Sequence, residues 1–269
     1  MRVGIRFLSL FIGIFLLIIN FAGYFISIDD RIYFDEEVIS YNESVSLIEE
    51  AYSKYGKSER FLKETVKIVD DATIYNWIHQ KTMIKGVQGY VQFYENWILW
   101  IARFFDDFLF SVALTKDNDI FSKYEYMHYE AALRRGYGIC SQLSVLLADM
   151  LTNKYGINTY VVGLSGHVVA QSQINKEDYI LDASMSLVMP FGLSFAEKNL
   201  ESVKSYYKGD LIAETYDARG NSIMSSPGAK GYRPLAYLIE QLAYAFKWIV
   251  PIFLLVVGSS LYWKKFGRC

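Results

Sequence analysis

Two long apolar stretches lie near the two ends of the chain, and each is long enough to cross a bilayer as a helix. Residues 7–28 carry no charged side chain, and a helix of that length spans a hydrocarbon core about 30 Å thick. Residues 242–263 are mainly apolar and aromatic, with Lys247 near one end and Pro251 inside. A lysine near the end of such a helix can extend to the membrane interface, and proline kinks the helix without ending it. The pattern predicts two transmembrane helices.

The charges that flank these stretches predict their orientation. Arg2 and Arg6 precede the first stretch and two aspartates follow it, while basic residues crowd segment 264–269. Cytoplasmic flanks are enriched in Lys and Arg. The sequence therefore predicts that segments 1–6 and 264–269 are cytoplasmic and that the intervening domain lies outside, on a cytoplasmic (inner) membrane. The lipid bilayer is thus a predicted partner.

A cleaved signal peptide is the alternative interpretation of the first stretch. It would need a shorter apolar region with small residues before the cleavage site. Asn20, Phe21, Tyr24 and Phe25 occupy that region here. We therefore favour a retained anchor.

A third apolar stretch, residues 97–114, is interrupted by Arg103, Asp106 and Asp107. Such charges make a membrane-spanning helix unfavourable. The stretch lies in a segment, 88–130, that we interpret as an amphipathic insertion. Two alternatives remain: a helix in the headgroup layer, or a core helix of the domain.

The polar remainder of the chain predicts one extracytoplasmic domain over residues 29–218. Its first helices are expected over Ser44–Tyr55, closed by Gly56, and after a Ser58 cap. A helical segment over Tyr124–Arg135 follows. Residues 219–241 begin with a run rich in Gly, Pro and Ser and predict a linker to the second membrane helix.

Composition narrows the function classes. The chain has 269 residues, of which 52% are hydrophobic and 17% aromatic, and its mean hydropathy is +0.14. These values are typical of a membrane protein. The net charge of −2, with no basic face, predicts no nucleic-acid partner. The only two cysteines, Cys140 and Cys269, are expected on opposite sides of the membrane, so no disulfide framework is predicted.

Residues 134–153 contain the first candidate catalytic residue. A glycine-containing run ends at Cys140, and apolar residues then recur with helical spacing. Cys140 therefore falls at a helix N-terminus, where unpaired N–H groups and the helix dipole favour a thiolate over a thiol.

Alternating residues after this helix predict strands from Thr159, from His167 and from Tyr179 to Asp182. His167 opens one strand and Asp182 ends its neighbour. A tight turn at Lys176–Glu177 would place Gln171 opposite Asp182, so a bulge or a longer turn is expected to bring His167 to it. A cysteine, a histidine and a carboxylate that orients the histidine form the thiol version of a nucleophile–base–orienter triad.

Three motifs in this order, Gly138-Ile139-Cys140, Gly166-His167-Val168 and 181–184 (Leu-Asp-Ala-Ser), resemble those of the transglutaminase-like family of the papain-type superfamily. Segment 74–78 also resembles the helix ahead of the cysteine in bacterial members. Ala183 stands where the family commonly has proline. The resemblance covers roughly residues 45–200.

The resemblance implies an α+β fold with the cysteine on a central helix packed on an antiparallel sheet, and a catalytic triad of Cys140, His167 and Asp182. It also implies a bacterial thiol enzyme that acts on amide bonds by hydrolysis or acyl transfer. The predicted membrane anchoring and outside location restrict the substrate to a cell-envelope protein, peptide or polymer. No cofactor or metal is expected. Gln142 and Tyr137 are weak candidates for an oxyanion-binding side chain.

Other interpretations remain open at this point. Cys140 can be a buried structural thiol, and Asp182 can cap a turn. His79 and His128 are interpreted as ordinary helix residues. The whole domain can also be a non-catalytic scaffold or binding subunit of a membrane assembly, with membrane-protein partners docked on the aromatic-rich insertion.

Overall fold

The structure, a computed structural model, describes residues 2–26, 38–75, 91–111, 125–208, 211–217 and 220–266. Some of the predictions fall on residues outside these ranges: the two aspartates at 29 and 30, residues 76–78 of segment 74–78, His79, Tyr124 and Cys269. The chain forms two compact units. The first contains both terminal apolar helices and residues 91–111, and the second contains the remaining elements.

The second unit is an α+β domain, as the sequence predicted. Its helices are α2 (Tyr41–Tyr55), α3 (Glu59–Asp71), α5 (Tyr129–Arg135), α6 (Cys140–Asn153), α7 (Leu193–Ala196), α8 (Leu200–Tyr206) and α9 (Ala229–Tyr232), with a 3₁₀ helix over Leu211–Asp217. Ser58 caps α3 through its hydroxyl, and Gly56 ends α2 with a φ of 55°. Both positions agree with the sequence patterns.

An antiparallel five-stranded sheet, ordered β6-β5-β4-β3-β7, forms the other layer. Its strands are β3 (Thr159–Leu164), β4 (His167–Ile174), β5 (Glu177–Asp182), β6 (Leu187–Met189) and β7 (Ser222–Ile223). Helix α6 packs against β3 and β4. Every residue from Cys140 to Leu151 is buried, so α6 is the central helix of this domain.

The other sheet face is covered by α7, α8 and the 3₁₀ helix. A single apolar cluster joins the three elements to the strands, with Val162, Val169 and Ile180 from the sheet and Val203 and Tyr216 from the covering segments. Strand residues two apart point to the same face. His167 and Asp182 therefore share the face of Val169 and Ile180.

The β4–β5 pairing differs from the expectation. The turn lies at Asn175–Lys176, whose φ angles of 52° and 71° are those of a two-residue hairpin turn. Ala170 pairs with Leu181, so the same register puts Val169 opposite Asp182, with His167 at the diagonal position. The expected bulge or longer turn is wrong, because diagonal neighbours on one face are within side-chain reach.

Two further segments differ from their predicted structure. Ile74 and Tyr75, expected in a helix, form β1 (Ile74–Tyr75), which pairs in parallel with β2 (Tyr137–Gly138). The predicted linker, 219–241, contains β7, which pairs with β3, and α9, which packs on α6 and β3. Gly and Ser supply tight local geometry here rather than flexibility; a Cβ on Gly231 would lie 1.8 Å from the Ser226 carbonyl oxygen.

The first unit contains α1 (Arg2–Phe25), α4 (Trp97–Ser111) and most of α10 (Pro234–Phe266). Two stretches, Arg6–Phe25 and Pro234–Ser259, are long and apolar enough to cross a membrane. Their contacts run antiparallel: a Cβ on Gly258 would lie 2.6 Å from Leu10, whereas Phe21 stacks edge-on against Trp248. Such close approach at glycine is typical of paired membrane helices.

Helix α4 groups with the apolar helices and not with the core of the α+β domain. A turn leads into it, in which Glu95 accepts hydrogen bonds from Tyr244 and Lys247 of α10. The side chains of Leu99 and Arg103 are buried, while Phe104 is 58% exposed. Of the two alternatives left open by the sequence, this grouping favours a helix outside the core of the α+β domain.

Candidate active site

Cys140 is the first residue of α6 and follows directly on β2. The approach to it requires two glycines: Gly136 ends α5 in the left-handed conformation, and a Cβ on Gly138 would lie 2.7 Å from Gln142 Cβ. The first backbone N–H groups of a helix lack intrahelical partners. The Cys140 thiol, 7% exposed, therefore lies where backbone dipoles favour negative charge.

Ser144 joins the start of α6 to the strand that carries His167. Its hydroxyl lies 2.8 Å from the Cys140 carbonyl oxygen and 2.9 Å from the Val168 carbonyl oxygen. One hydroxyl hydrogen is shared between these two acceptors, which belong to the nucleophile position and to the neighbour of the histidine. This bridge fixes Cys140 relative to His167.

His167 and Asp182 are brought together in the structure. His167 Nε2 lies 2.7 Å from Asp182 Oδ2, and the two side chains are 4% and 2% exposed. The ring also makes a hydrogen bond with the Cys140 side chain. Because Nε2 is held by Asp182, the nitrogen that faces the thiol is Nδ1. The three residues named from the sequence thus form one contiguous group.

The charge state of His167 follows from its neighbours. Burial, the largest single influence, lowers the pKa of His167, but the hydrogen bonds and negative charges of Asp182 and Cys140 outweigh it and raise this pKa to about 9. The imidazolium form is therefore favoured at neutral pH. A positively charged ring therefore lies beside the Cys140 side chain.

Asp182 is held by further donors that the sequence analysis missed. Its Oδ1 accepts the Ser184 backbone N–H at 3.0 Å and the Ser184 hydroxyl at 2.6 Å. Its Oδ2 accepts the Tyr207 hydroxyl at 2.8 Å, and the Tyr216 hydroxyl lies 3.0 Å from that of Tyr207. The Ser184 contact has a local signal, an Asp-x-Ser turn; the tyrosines are distant in sequence and have none.

Tyr75 is the other residue that the sequence analysis missed. It stands in β1 opposite Gly138, and its hydroxyl lies beside the side chains of Ser184 and Cys140. Burial first, and then the negative charges of Cys140 and Asp182, raise the pKa of Tyr75. The hydroxyl therefore stays protonated and can donate a hydrogen bond beside the thiol.

The two candidate oxyanion side chains lie close to Cys140 in the chain, but one of them is engaged elsewhere. Gln142 is 1% exposed; its Oε1 accepts the Tyr126 N–H at 2.6 Å and its Nε2 donates to the Tyr126 carbonyl at 3.0 Å. The second N–H of the Gln142 side-chain amide is then the group of this residue that could bind an oxyanion. Tyr137 is 9% exposed in β2. His128, expected within a helix, instead occupies the N-cap position of α5.

A cysteine at the tip of a central helix, packed on an antiparallel sheet that carries a histidine–carboxylate pair, defines the transglutaminase-like class of α+β domains. Comparison with protein families agrees: the model of a family described as "Transglutaminase-like domain" matches residues 53–212. The chain belongs to this family. No curated protein and no solved structure matches it significantly.

Proposed function

We propose that the protein is a membrane-anchored thiol enzyme that acts on amide bonds of a cell-envelope protein, peptide or polymer, by hydrolysis or acyl transfer. The observation that carries this proposal is the buried His167–Asp182 pair, 2.7 Å between Nε2 and Oδ2, in hydrogen-bonding contact with Cys140. A structural cysteine needs neither a histidine nor an oriented carboxylate.

In the proposed reaction the Cys140 thiolate attacks the amide carbonyl carbon and the carbonyl oxygen takes up the negative charge. His167, protonated at Nδ1, gives that proton to the departing amine as the C–N bond breaks, which leaves a thioester on Cys140. A water or an amine then loses a proton to His167 as it attacks the thioester, and the thiolate returns. Asp182 keeps Nε2–H in place throughout.

Negative charge on the carbonyl oxygen needs donors close to Cys140. The backbone N–H of Cys140 has no intrahelical partner at the helix start, and the protonated Tyr75 hydroxyl lies beside Cys140. We propose these two groups as the oxyanion donors. Gln142 and Tyr137 remain weaker candidates, since the Gln142 amide already bonds the Tyr126 backbone on both sides.

The membrane part of the proposal rests on α1 and α10. Both are long and apolar enough to span, and their antiparallel pairing puts residue 10 of α1 near residue 258 of α10. Basic residues at 2, 6, 264 and 265 then belong to the same end of the pair. By the positive-inside rule this end is cytoplasmic, and the α+β domain is outside.

Helix α4 supports a membrane surface at the other end of the pair. Glu95, directly before it, bonds Lys247 and Tyr244 of α10, and a Cβ on Gly23 of α1 would meet the Tyr94 carbonyl. An aromatic row runs along this segment, in which each ring stacks on or lies edge-on to the next: Phe93, Trp100, Phe104 and Phe105. An exposed aromatic row at this level is typical of a helix in the headgroup layer.

The enzyme proposal predicts that Cys140 is alkylated by iodoacetamide faster than a free thiol. At pH 6, where few free thiols are ionised, we expect at least about a tenfold advantage over free cysteine. The assay uses the full-length Cys269→Ser variant in detergent, so that Cys140 alone reports, and mass spectrometry follows the modification. His167→Ala should remove the advantage. A folded protein whose Cys140 reacts like free cysteine would support the scaffold alternative instead.

The topology predicts the behaviour of reporter fusions. An enzyme reporter that is active only outside the cytoplasm should be inactive when fused after Cys269, because that end is expected in the cytoplasm. The same reporter fused after Ser40, so that α1 is the only membrane helix, should be active. Activity of the first fusion would exclude the double-anchor arrangement.

A further inference from the structure

Asp182 is a buried carboxylate with a full set of hydrogen-bond donors. It is 1% exposed, and its two oxygens receive four donors: Ser184 N–H and Ser184 Oγ–H on Oδ1, and His167 Nε2–H and Tyr207 Oη–H on Oδ2. An ionised carboxylate offers about four lone-pair sites. Every site is therefore occupied, and an added proton would have to displace one donor.

The direction of the hydrogen bonds beyond Asp182 is determined by counting hydrogens. Tyr207 has one hydroxyl hydrogen, and it is given to Asp182. The 3.0 Å contact between the two tyrosine hydroxyls therefore has Tyr216 as the donor. A directed chain runs from Tyr216 to Tyr207 to Asp182.

Both tyrosines are fixed donors. They are 4% and 0% exposed, and each is packed into the apolar cluster under the sheet. Burial, followed by the negative charge of Asp182, raises the pKa of Tyr207, and burial likewise raises the pKa of Tyr216. Both hydroxyls therefore stay protonated at neutral pH and remain available as donors.

We propose that Tyr207 and Tyr216 are positioning residues of the active site, which hold the Asp182 carboxylate oriented so that His167 keeps its Nε2–H toward the carboxylate and Nδ1 toward Cys140. This inference rests on the proposed function for its catalytic meaning. The two tyrosines come from different segments: Tyr207 directly follows α8, and Tyr216 lies in the 3₁₀ helix.

The 3₁₀ helix thereby contributes a residue that supports the Asp182 carboxylate. The family match ends at residue 212, before Tyr216. A hydrogen bond from a buried hydroxyl to a charged group is stronger than one between neutral groups. The segment beyond the matched region thus supplies the last member of the chain that supports the carboxylate.

The test measures the rate of Cys140 alkylation against pH in the Cys269→Ser background. Tyr207→Phe removes a donor that orients the carboxylate toward His167, whose pKa Asp182 helps to raise, so the alkaline limb of the profile, which reports deprotonation of His167, should move to lower pH. Tyr216→Phe should move it in the same direction by less, because it acts through Tyr207. Tyr155→Phe is the matched control: this buried ring packs on Tyr52 and Phe61, and the loss of its hydroxyl should leave the limb in place.

A second measurement does not need a reactive thiol. The loss of Tm caused by Tyr207→Phe should be larger at pH 7 than at pH 10, because the bond between Asp182 and charged His167, which Tyr207 orients, contributes to stability below the raised pKa of His167, about 9, and is lost above it. Equal losses at both pH values, or an unmoved limb, would overturn the proposal. If Cys140 of the unmutated protein is unreactive, the proposed function is wrong. The Tm comparison still tests whether Tyr207 and Tyr216 position Asp182. If Tyr207→Phe does not fold, Tyr216→Phe carries both measurements.

Discussion

Replacing Cys140 with serine is expected to abolish acylation of the protein by an activated ester. With p-nitrophenyl acetate, the unmutated protein should release p-nitrophenolate in a burst of about one equivalent, because attack by a thiolate precedes slower hydrolysis of the thioester. A serine hydroxyl is not ionised by this histidine, so the burst rate should fall by at least on the order of 10³-fold. Stopped-flow absorbance measures the burst, and intact mass detects the acetyl group.

Cys269→Ser is the matched control for this substitution. It removes the other cysteine of the chain and should leave both the burst and the acetylated mass unchanged. A burst that persists in Cys140→Ser and disappears in Cys269→Ser would show that the reactive thiol is not the one at the tip of α6.

The second large effect is expected for Asp182→Asn. An amide has two N–H donors on one side, and Ser184 and Tyr207 already donate to the two oxygens of this carboxylate. Any orientation of the introduced amide therefore sets a donor against a donor, or turns its N–H toward His167 Nε2 and selects the opposite tautomer. We expect the acylation rate to fall on the order of 10³- to 10⁴-fold, with about 1–3 kcal/mol of lost stability.

The same variant should change how stability depends on pH. In the unmutated protein the pKa of His167 is raised to about 9 from 6.5. Its contribution to stability is thus fully present below about pH 6.5 and is lost as the pH rises through about 9. In Asp182→Asn, only Cys140 opposes the lowering of the His167 pKa by burial. The stability lost as the pH rises should therefore be markedly smaller than in the unmutated protein. Thermal melting between pH 6 and pH 9 measures it.

Asp178→Asn provides the comparison for Asp182→Asn. Asp178 belongs to the same hairpin, but its carboxylate makes an exposed hydrogen bond with Gln173. The Asp178→Asn protein should keep an acylation rate and a pH dependence of melting close to those of the unmutated protein. A similar loss in both variants would mean that the hairpin, and not the bond to His167, determines the result.

The parts of the fold that the sequence predicted well have local causes. Helix α3 begins after its Ser58 cap, α6 begins where helical spacing follows a glycine-containing run, and the strands from Thr159 and His167 are marked by alternation. Cys140 was placed at a helix tip because glycine precedes it and helical spacing follows. The order of Cys140, His167 and Asp182 carried the resemblance to the family that the chain belongs to.

The parts that failed depend on contacts distant in sequence. The β4–β5 turn lies at Asn175–Lys176, one residue before the turn considered from the sequence, and both residues have positive φ. The apolar pattern of the two strands does not distinguish these two turn positions. Tyr75, Tyr207 and Tyr216 look like ordinary aromatic core residues in the sequence. Their hydroxyls acquire partners only when β1, α8 and the 3₁₀ helix pack around the carboxylate.

The antiparallel pairing of α1 and α10 also has a consequence for folding. Where these helices stay paired in the bilayer, both ends of the intervening chain remain tethered to one helix pair even when the domain unfolds. A closed loop has less conformational entropy than a free chain; a covalent closure of 100 residues is estimated at about 4.7 kcal/mol. The helix pair would therefore act as a non-covalent staple, which stabilises the domain by restricting its unfolded state in a chain without a disulfide among the residues described.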